Sequence, residues 1–544
     1  MDKLKMHSPD LSQENIEKIR SLFPNCVTEV SDESGNIKLA IDFDQLKQEL
    51  SDYIIEGPQE RYHLNWPGKR QALLTANAPI AKTLRPCREE SVNFDSTENL
   101  FIEGDNLEAL KILQETYLNK VNVIYIDPPY NTGNDFIYDD DFSESTDSYL
   151  VKSNQQDQAG NRLVSNSSSS GRYHSTWLGN IYSRLKIARN FLKDDGVIFL
   201  SIDDGEQANL RKICDEIFGE NNFVANIIWQ KKYAASNDAK YLSDVHDFIL
   251  CYCKDKGKWR PNLFPRSEEL NSKYKNPDND PRGDWYSTNL SVKTYSAKND
   301  YIITSPAGIE FSPPASRCWA VSKEKYEELL EDNRIWFGKD GTSRPYQKKF
   351  LTEVQQGVVP TTLWFHDEAG HNIGAKSQLR DLFKETTALF DTPKPTKLID
   401  RLLTMSLPEE DSIVMDFYAG SGTTAHAVYE RNAREGRNDK FIVVQIAQEN
   451  PTKSIAFKEG YKTLADMTKE RIVRSGDYVL SGTYDERWNK DIGFRKLNID
   501  TSNMTDVFYR PDQVDQQICL LKLKILKKTE RMKIYYSKFY LIGA

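Results

Sequence analysis

Residues 123–133 read VIYIDPPYNTG, and this stretch decides the fold class. Its apolar start predicts a buried strand, and the carboxylate of Asp127 follows that strand directly. Ligands of an open α/β sheet bind outside the carboxyl ends of its strands. The stretch therefore predicts an α/β protein with Asp127 at the edge of a binding crevice.

The residues after this strand suit a planar ring that carries an exocyclic amine. Pro128 and Pro129 fix φ and remove two backbone donors, which leaves carbonyl groups available as acceptors. Asp127 and the Pro128 carbonyl would accept the two amine hydrogens, and the ring of Tyr130 would stack on the bound ring. Such acceptors would make the amine nitrogen a better nucleophile towards a sulfonium methyl, while alignment and the carboxylate charge favour the transition state. The alternative interpretation is a strand that merely ends in an Asp-Pro turn.

A second motif occupies residues 413–425, IVMDFYAGSGTTA. Glycines between a strand and a helix permit a tight turn and let a ligand approach the backbone. Gly420 and Gly422 also fit a dinucleotide-binding pattern, so a nicotinamide or flavin site remains an alternative. No acidic residue ends the strand predicted over 441–446, as a dinucleotide site would require. Asp416 instead suits the ammonium group of a nucleoside that carries an amino acid.

Strands and helices alternate on both sides of a long insert. The predicted elements are strands at 99–103, 121–126, 197–202, 412–415 and 441–446 and helices at 106–117, 178–192, 396–406 and 423–430. This order predicts a mostly parallel, doubly wound sheet. The alternation of strands and helices stops over 226–389. This region is rich in Tyr, Trp, Asn, Pro and Lys, and it predicts an inserted domain. Residues 143–170 predict a polar loop, and residues 1–95 predict an accessory domain of helical pattern.

Composition excludes several classes of protein. The 544 residues include 38% hydrophobic and 28% charged residues, which is typical of a globular protein. Apolar runs are too short for a membrane span, and the first residues lack a signal peptide, so we expect a cytoplasmic protein. The net charge is −9, but it is −5 over residues 1–99 and +2 over 226–385, so basic character is relatively greater in the middle. Scattered cysteines predict no zinc site.

With both motifs in view, the chain resembles the β group of amino-methyltransferases, and more narrowly the modification subunit of type III restriction-modification systems. The resembling stretches are 97–110, 127–133, 177–185, 199–204, 393–395 and 416–426. The resemblance implies a Rossmann-like, S-adenosylmethionine-dependent methyltransferase fold, circularly permuted, with an inserted target-recognition domain. The implied domains are 1–95 (accessory), 96–225 (catalytic part), 226–389 (target recognition), 390–480 (cofactor part) and 481–544 (C-terminal region).

The resemblance also implies the site residues and the partners. Asp127, Pro128, Pro129 and Tyr130 would be catalytic. The cofactor S-adenosylmethionine would contact Asp105, Lys394, Asp416, Phe417, Tyr418, Gly420 and Gly422, with Asp105 near its adenine and Lys394 near its methionine. The substrate would be adenine N6 in double-stranded DNA, flipped out of the duplex. Family members work as homodimers and are joined by a helicase-nuclease restriction subunit.

Other interpretations remain open from the sequence. Methylation of cytosine N4 is the nearest rival, although its catalytic motif more often begins with Ser, and a DNA-specificity subunit without catalysis is another. The spacing of His366 and His371 does not favour a metal site, and methyl transfer needs none. Residues 518–544 shift abruptly to Lys, Leu, Ile and Tyr. This shift suggests a frameshift that removes the family's C-terminal region, and a natural basic amphipathic tail is the alternative.

Overall fold

The structure is a computed structural model, and it describes residues 64–132, 172–235, 239–384, 389–390, 392–408 and 411–502, with short pieces of 3–46 and residues 507–508. The polar loop predicted at 143–170 and the altered tail at 518–544 lie outside these residues. The chain divides into two compact units, of which the second is Pro261–Pro360 and the first is the remainder.

A ten-stranded sheet dominates the first unit. Its strands are β1 (Lys82–Pro86), β2 (Leu100–Glu103), β3 (Val121–Ile126), β4 (Leu192–Ile202), β5 (Phe223–Gln230), β6 (His246–Cys253), β7 (Leu363–Trp364), β8 (Ile413–Asp416), β9 (Lys440–Gln445) and β10 (Arg495–Thr501). Their order across the sheet is β7-β5-β6-β4-β3-β8-β9-β2-β10-β1. The six strands from β4 to β10 in this order run parallel to one another, and β6 and β1 pair antiparallel at the two flanks.

The helices of the first unit cover the faces of this sheet. They are α1 (Lys69–Asn77), α2 (Asn106–Tyr117), α3 (Arg172–Phe191), α4 (Gln207–Cys214), α5 (His366–Ala369), α6 (Asn372–Phe383), α7 (Thr396–Ser406), α8 (Thr423–Glu435), α9 (Ile455–Lys458) and α10 (Leu464–Ser481). Helices α2 and α3 pack against each other, and α8 packs against both α7 and α10. The predicted α/β fold class is therefore confirmed.

The central strands are buried, as the parallel strands of a sheet with helices on both faces are expected to be. Every residue of β3 is buried, and successive side chains of a strand point to opposite faces of its sheet. Ile124 and Ile126 join a cluster that includes Leu110 and Leu113 of α2, while Val123 is buried on the other face. A strand covered on both faces is typical of a parallel sheet between two helical layers.

The second unit contains short strands around a small core of its own. Trp285–Asn289, Tyr346–Phe350 and Ile335–Trp336 form a three-stranded antiparallel sheet, and two further strand pairs are Ser291–Val292 with Cys318–Trp319 and Ile303–Thr304 with Glu310–Phe311. Two helices, Glu268–Asn271 and Lys323–Glu331, belong to it. This unit is smaller than the predicted insert of 226–389, because β5, β6 and β7 extend the main sheet.

Two further segments differ from the sequence-based expectation. Residues 1–95 were expected to be separate from the sheet, but β1 lies at its edge and pairs with β10, where Arg85 bonds to Asp500. A short strand that is paired with a segment over 400 residues away carries no local signal. Residues 27–31 and 37–41 form a hairpin inside the stretch predicted to be helical. None of the helices described has the length and apolar character needed to cross a membrane.

Candidate active site

The two motifs meet at one edge of the sheet. Strands β3 and β8 are parallel neighbours, so Asp127, which follows β3, and Asp416, which ends β8, lie at the same edge. A cavity of about 330 Å³ opens there. Eight of the predicted site residues line this cavity: Asp127, Pro128, Pro129, Tyr130, Lys394, Asp416, Tyr418 and Gly420. The structure therefore joins the predicted catalytic and cofactor motifs in a single site.

Two buried contacts fix the loop that follows β3. Trp177 of α3 donates its indole N–H to the Pro129 carbonyl at 2.7 Å. Asn131, at a φ of 58°, donates its side-chain N–H to Oε1 of Glu206 at 2.7 Å, and the Glu206 side chain is 1% exposed. Among the residues the structure describes, nothing donates a hydrogen bond to the Pro128 carbonyl. That carbonyl is therefore available as an acceptor.

Asp127 forms an ion pair with Lys394. The Lys394 ammonium lies 2.6 and 2.7 Å from the two carboxylate oxygens; the Lys394 side chain is 9% exposed and the Asp127 side chain is 25% exposed. The same ammonium lies 5.0 Å from the ring centroid of Tyr130. A cation near a ring face is attracted by its π electrons, so Lys394 joins the carboxylate and the aromatic ring of the motif.

A second set of charges lines the same cavity, formed by Asp247 and Lys231. The Tyr130 hydroxyl donates to Oδ2 of Asp247 at 3.5 Å, and Lys231 bonds to Oδ1 of Asp247 at 2.7 Å. Burial raises the pKa of Asp247, while Lys394 and Lys231 act against that shift. Burial, reinforced by the charge of Asp127, holds the pKa of Tyr130 well above its ordinary value. The tyrosine is therefore neutral and acts through its ring and its O–H donor.

Asp416 is buried and bonded to its own loop. Its Oδ1 accepts from the Tyr418 amide at 3.0 Å, and its Oδ2 accepts from the Thr424 hydroxyl at 2.5 Å. Burial raises its pKa to about 7, which the two hydrogen bonds oppose and the charge of Asp127 reinforces. The carboxyl therefore stabilises the turn between β8 and α8 and also lines the cavity.

The glycine turn closes against β9 and α10. The Gly420 amide donates to Oε1 of Gln445 at 2.7 Å, and the Thr468 hydroxyl donates to the Gly420 carbonyl at 2.6 Å. Gly422 has a φ of +80°, and an added Cβ there would lie 3.2 Å from the Thr468 carbonyl oxygen. Position 422 therefore favours glycine for both conformation and space.

Three predicted cofactor residues lie outside the cavity lining. Phe417 is buried in the core beneath the turn, and Gly422 caps α8. Asp105 caps α2 through the amides of Leu107 and Glu108 and pairs with Arg184 at 3.1 Å. The contacts predicted for these residues with a cofactor remain predictions.

Several residues of the site were absent from the sequence-based prediction. Asp247 had no signal, because it lies within β6 in a region assigned to another domain. Trp177 belonged to the resembling stretches without an assigned role. Gln445 ends β9 in the place where a dinucleotide site would have an acid, and its contact with Gly420 now gives that position a function in the turn.

The two histidines weighed as metal ligands contact aromatic rings instead. The ring of His366 stacks on Tyr233, with centroids 4.8 Å apart, and lies 5.8 Å from the ring of His371. Within the part of the chain that the structure describes, no group of three or more His, Cys, Asp or Glu side chains could hold a metal ion.

Comparisons with known proteins show the family to which the chain belongs. A family model described as DNA methylase matches residues 121–450, which is more than half of the chain. The Mod subunit of the type III restriction-modification enzyme StyLTI from Salmonella typhimurium is 37% identical over 81% of this chain and 66% of its own length. The EcoP15I Mod subunit from Escherichia coli is 32% identical over 85% of this chain and 77% of its own length. The EcoPI Mod subunit from Escherichia phage P1 is 35% identical, with coverages of 77% and 68%.

Proposed function

Because the chain belongs to the DNA methylase family that includes the Mod subunits of type III restriction-modification systems, we propose that it transfers a methyl group from S-adenosylmethionine to N6 of adenine in duplex DNA. The observation that carries the proposal is the shared cavity. Asp127, the Pro128 carbonyl and the ring of Tyr130 face the same space as the glycine turn that starts at Asp416.

The described residues fit a nucleoside that carries an amino acid. The turn offers backbone and hydroxyl groups at the start of α8, and Lys394, whose side chain carries a cation, lines the same cavity. The Thr423 hydroxyl donates to the Lys394 carbonyl at 3.2 Å. Negative groups are favoured at the N-terminus of a helix. The bound cofactor would supply an electrophilic methyl group on sulfur. Lys394 and the start of α8 would hold its carboxylate, and Asp416 would face its ammonium.

The residues after β3 would hold the target base. Asp127 and the Pro128 carbonyl would accept the two hydrogens of an exocyclic amine, and Tyr130 would stack on the ring. The bond from Trp177 to the Pro129 carbonyl keeps the loop in one conformation, so the acceptors are oriented before the base arrives. The Asp127 carboxylate would stabilise the positive charge that develops on the amine nitrogen during transfer.

Adenine is proposed rather than cytosine because the motif begins with Asp127 and not with serine. Incubation of the protein with a set of duplex oligonucleotides and labelled cofactor, followed by nucleoside analysis, separates the two. We expect N6-methyl-2′-deoxyadenosine. Label in N4-methyl-2′-deoxycytidine would transfer the proposal to the cytosine branch, and no label in any base, with cofactor bound, would favour a specificity subunit without catalysis.

A substitution tests the mechanism directly. Asp127→Ala removes the acceptor and the negative charge, so we expect methyl transfer to be lost while DNA binding in a mobility-shift assay persists. Methyl transfer that survives this change would contradict the role assigned to Asp127.

The partners follow from family membership and belong to the same proposal. We expect DNA with a flipped adenine, a homodimer, and a helicase-nuclease restriction subunit that joins it, all in the cytoplasm. Co-expression with the restriction subunit of a relative, followed by size-exclusion chromatography, would test the assembly.

A further inference from the structure

A buried arginine lies directly behind the glycine turn. Arg471 of α10 is 1% exposed, and its Nη1 donates to Oγ of Ser421 at 2.7 Å and to Oγ1 of Thr423 at 2.8 Å. Both hydroxyl-bearing residues line the cavity, whereas Arg471 does not. The hydroxyl groups of Ser421 and Thr423 therefore lie between the Arg471 guanidinium and the cavity.

The charge of Arg471 has no carboxylate in contact among the residues described. Its Nη2 lies 3.5 Å from Nδ1 of His426, and Nε2 of His426 lies 3.2 Å from Oε1 of Glu430. Arginine only donates, so Nδ1 of His426 accepts and Nε2 carries the proton that faces Glu430. Burial lowers the pKa of Arg471 to about 10 and lowers the pKa of His426, which keeps the imidazole neutral. The nearest negative charge is thus separated from Arg471 by a neutral ring.

The two hydroxyl groups are polarised towards the cavity. Thr423 accepts from Arg471 and donates to the Lys394 carbonyl at 3.2 Å. Ser421 also accepts from Arg471, and its own hydrogen either faces Oγ1 of Thr423 at 3.4 Å or turns to a ligand in the cavity. A hydroxyl that accepts from a cation is a stronger donor, since hydrogen bonds in a chain polarise one another. Thr423 is also the first residue of α8, a 13-residue helix whose N-cap, Gly422, makes no side-chain cap bond.

Together these groups form a site for one negative charge. We propose that Arg471 is the positioning residue for the carboxylate of the cofactor's methionine part, acting through the hydroxyl of Ser421 and the start of α8. This inference rests on the proposed function and extends it to a residue that does not touch the cofactor. A buried cation that lacks a contacting carboxylate is stabilised by an anion in the adjacent cavity, so cofactor binding and the charge of Arg471 favour each other.

The test compares two ligands that differ by the carboxylate alone. Isothermal titration calorimetry on the full chain measures the affinities of S-adenosylmethionine and of its decarboxylated form. We expect the wild-type protein to prefer the carboxylate-bearing ligand. Arg471→Gln should reduce that preference about tenfold or more, because a charge-assisted interaction is lost while the remaining contacts of both ligands persist.

A second variant and a control keep the test decisive if Arg471→Gln fails to fold. Ser421→Ala leaves the arginine in place and should reduce the preference in the same direction. Ser475→Ala is the matched control, since Ser475 is fully buried one turn further along α10 and its hydroxyl bonds to the Ile472 carbonyl. The control should leave the preference unchanged.

Each outcome separates this inference from the proposed function. A wild-type protein that binds neither ligand would overturn the proposed function and this inference with it. Binding of both ligands with equal affinity, or variants that weaken both ligands by the same factor, would overturn the role of Arg471 alone.

Discussion

At the scale of single residues, the site contains two carboxyl groups in different electrostatic environments. Asp127 is paired with the Lys394 ammonium and is partly exposed, whereas Asp416 is buried and bonded only to neutral donors. Desolvation disfavours the charged form of a carboxyl group, and an adjacent cation favours it. Asp127 is therefore suited to act as a charged acceptor, and Asp416 is suited to a structural role that depends on pH.

The first prediction concerns the pH dependence of stability. The Asp416 carboxyl has its ordinary pKa of 3.8 in the unfolded chain, whereas its pKa in the folded protein is about 7. The folded state binds more protons between these values, so the contribution of Asp416 to the free energy of unfolding falls as the pH rises through that range. We expect a loss of about 2 kcal/mol between pH 5.5 and 8, from 1.36 kcal/mol for each pKa unit.

Urea unfolding at several pH values measures this loss. Asp416→Asn keeps the shape of the side chain and cannot ionise. The difference in the free energy of unfolding between the wild-type protein and this variant should therefore change by about 2 kcal/mol between pH 5.5 and 8. A difference that stays constant with pH would show that the carboxyl does not hold its proton in the folded state.

The second prediction concerns Trp177. Replacement by Phe removes the N–H that bonds to the Pro129 carbonyl and releases the loop that carries Asp127 and Tyr130. We expect kcat to fall by roughly 10- to 100-fold, since small displacements of reacting groups have effects of that size, while the KM for the cofactor stays nearly constant.

Trp488→Phe is the matched control for this change. The Trp488 side chain is also buried, but its indole nitrogen has no hydrogen-bond partner among the residues described, so the same loss of ring volume breaks no bond. Equal losses of kcat in the two variants would assign the effect to packing and not to the loop.

At the scale of elements, the turn between β8 and α8 determines the shape of the site. Gly420 bonds to β9 through Gln445 and to α10 through Thr468, so three elements meet at one backbone segment. Gly422 is the N-cap of α8 and lies in the left-handed region, and Thr423 and Thr424, the first two residues of the helix, line the cavity. Side-chain atoms at this point would compete for the space that the backbone leaves open.

The third prediction uses two glycines with the same backbone angle. Gly422 and Gly308 both have a φ of +80°, but an added Cβ meets the Thr468 carbonyl only at Gly422, and it meets no atom within 4 Å at Gly308. Both Ala variants should lose about 1–2 kcal/mol of stability from the left-handed conformation. Only Gly422→Ala should also lose cofactor affinity by calorimetry, because only there does the turn shift. An equal effect of both variants on affinity would contradict this.

At the scale of the whole molecule, the compact unit Pro261–Pro360 interrupts the chain between the two motifs. The large sheet retains its strands on both sides of this insertion, since β6 precedes it and β7 follows it. A segment with its own core can vary without altering the strands that position the site. Its role as part of a target-recognition domain remains a prediction.

The fourth prediction tests that role by exchange. Replacement of residues 261–360 by the corresponding segment of a Mod relative should change the DNA sequence that is methylated. Cofactor affinity should stay within about twofold, because every residue that lines the cavity belongs to the first unit. Single-molecule sequencing of DNA from a host that expresses the chimera identifies the modified base and its sequence. Methylation of the original sequence by the chimera would assign recognition to other parts of the chain.

Local patterns were sufficient to predict much of this protein. The helix predicted over 106–117 has those bounds in the structure, because Asp105 caps it and its apolar residues have helical spacing. The position of Asp127 and Asp416 at one edge followed from a general rule for parallel strands. The helix depends on residues near in sequence, and the shared edge depends on the parallel sheet that the order of strands and helices predicts.

Only the tertiary structure identifies the contacts between segments that are far apart in the chain. The ion pair of Lys394 with Asp127 joins residues 267 positions apart, and the bonds from Arg471 to the glycine turn span about 50. The edge strand β1 depends on β10 in the same way. The sequence by itself determined the order of strands and helices, the two motifs and the family, because these depend on spacing and residue type. Only the tertiary structure decided which charges face each other in the cavity, because burial and the pairing of side chains arise when segments that are far apart in the chain pack together.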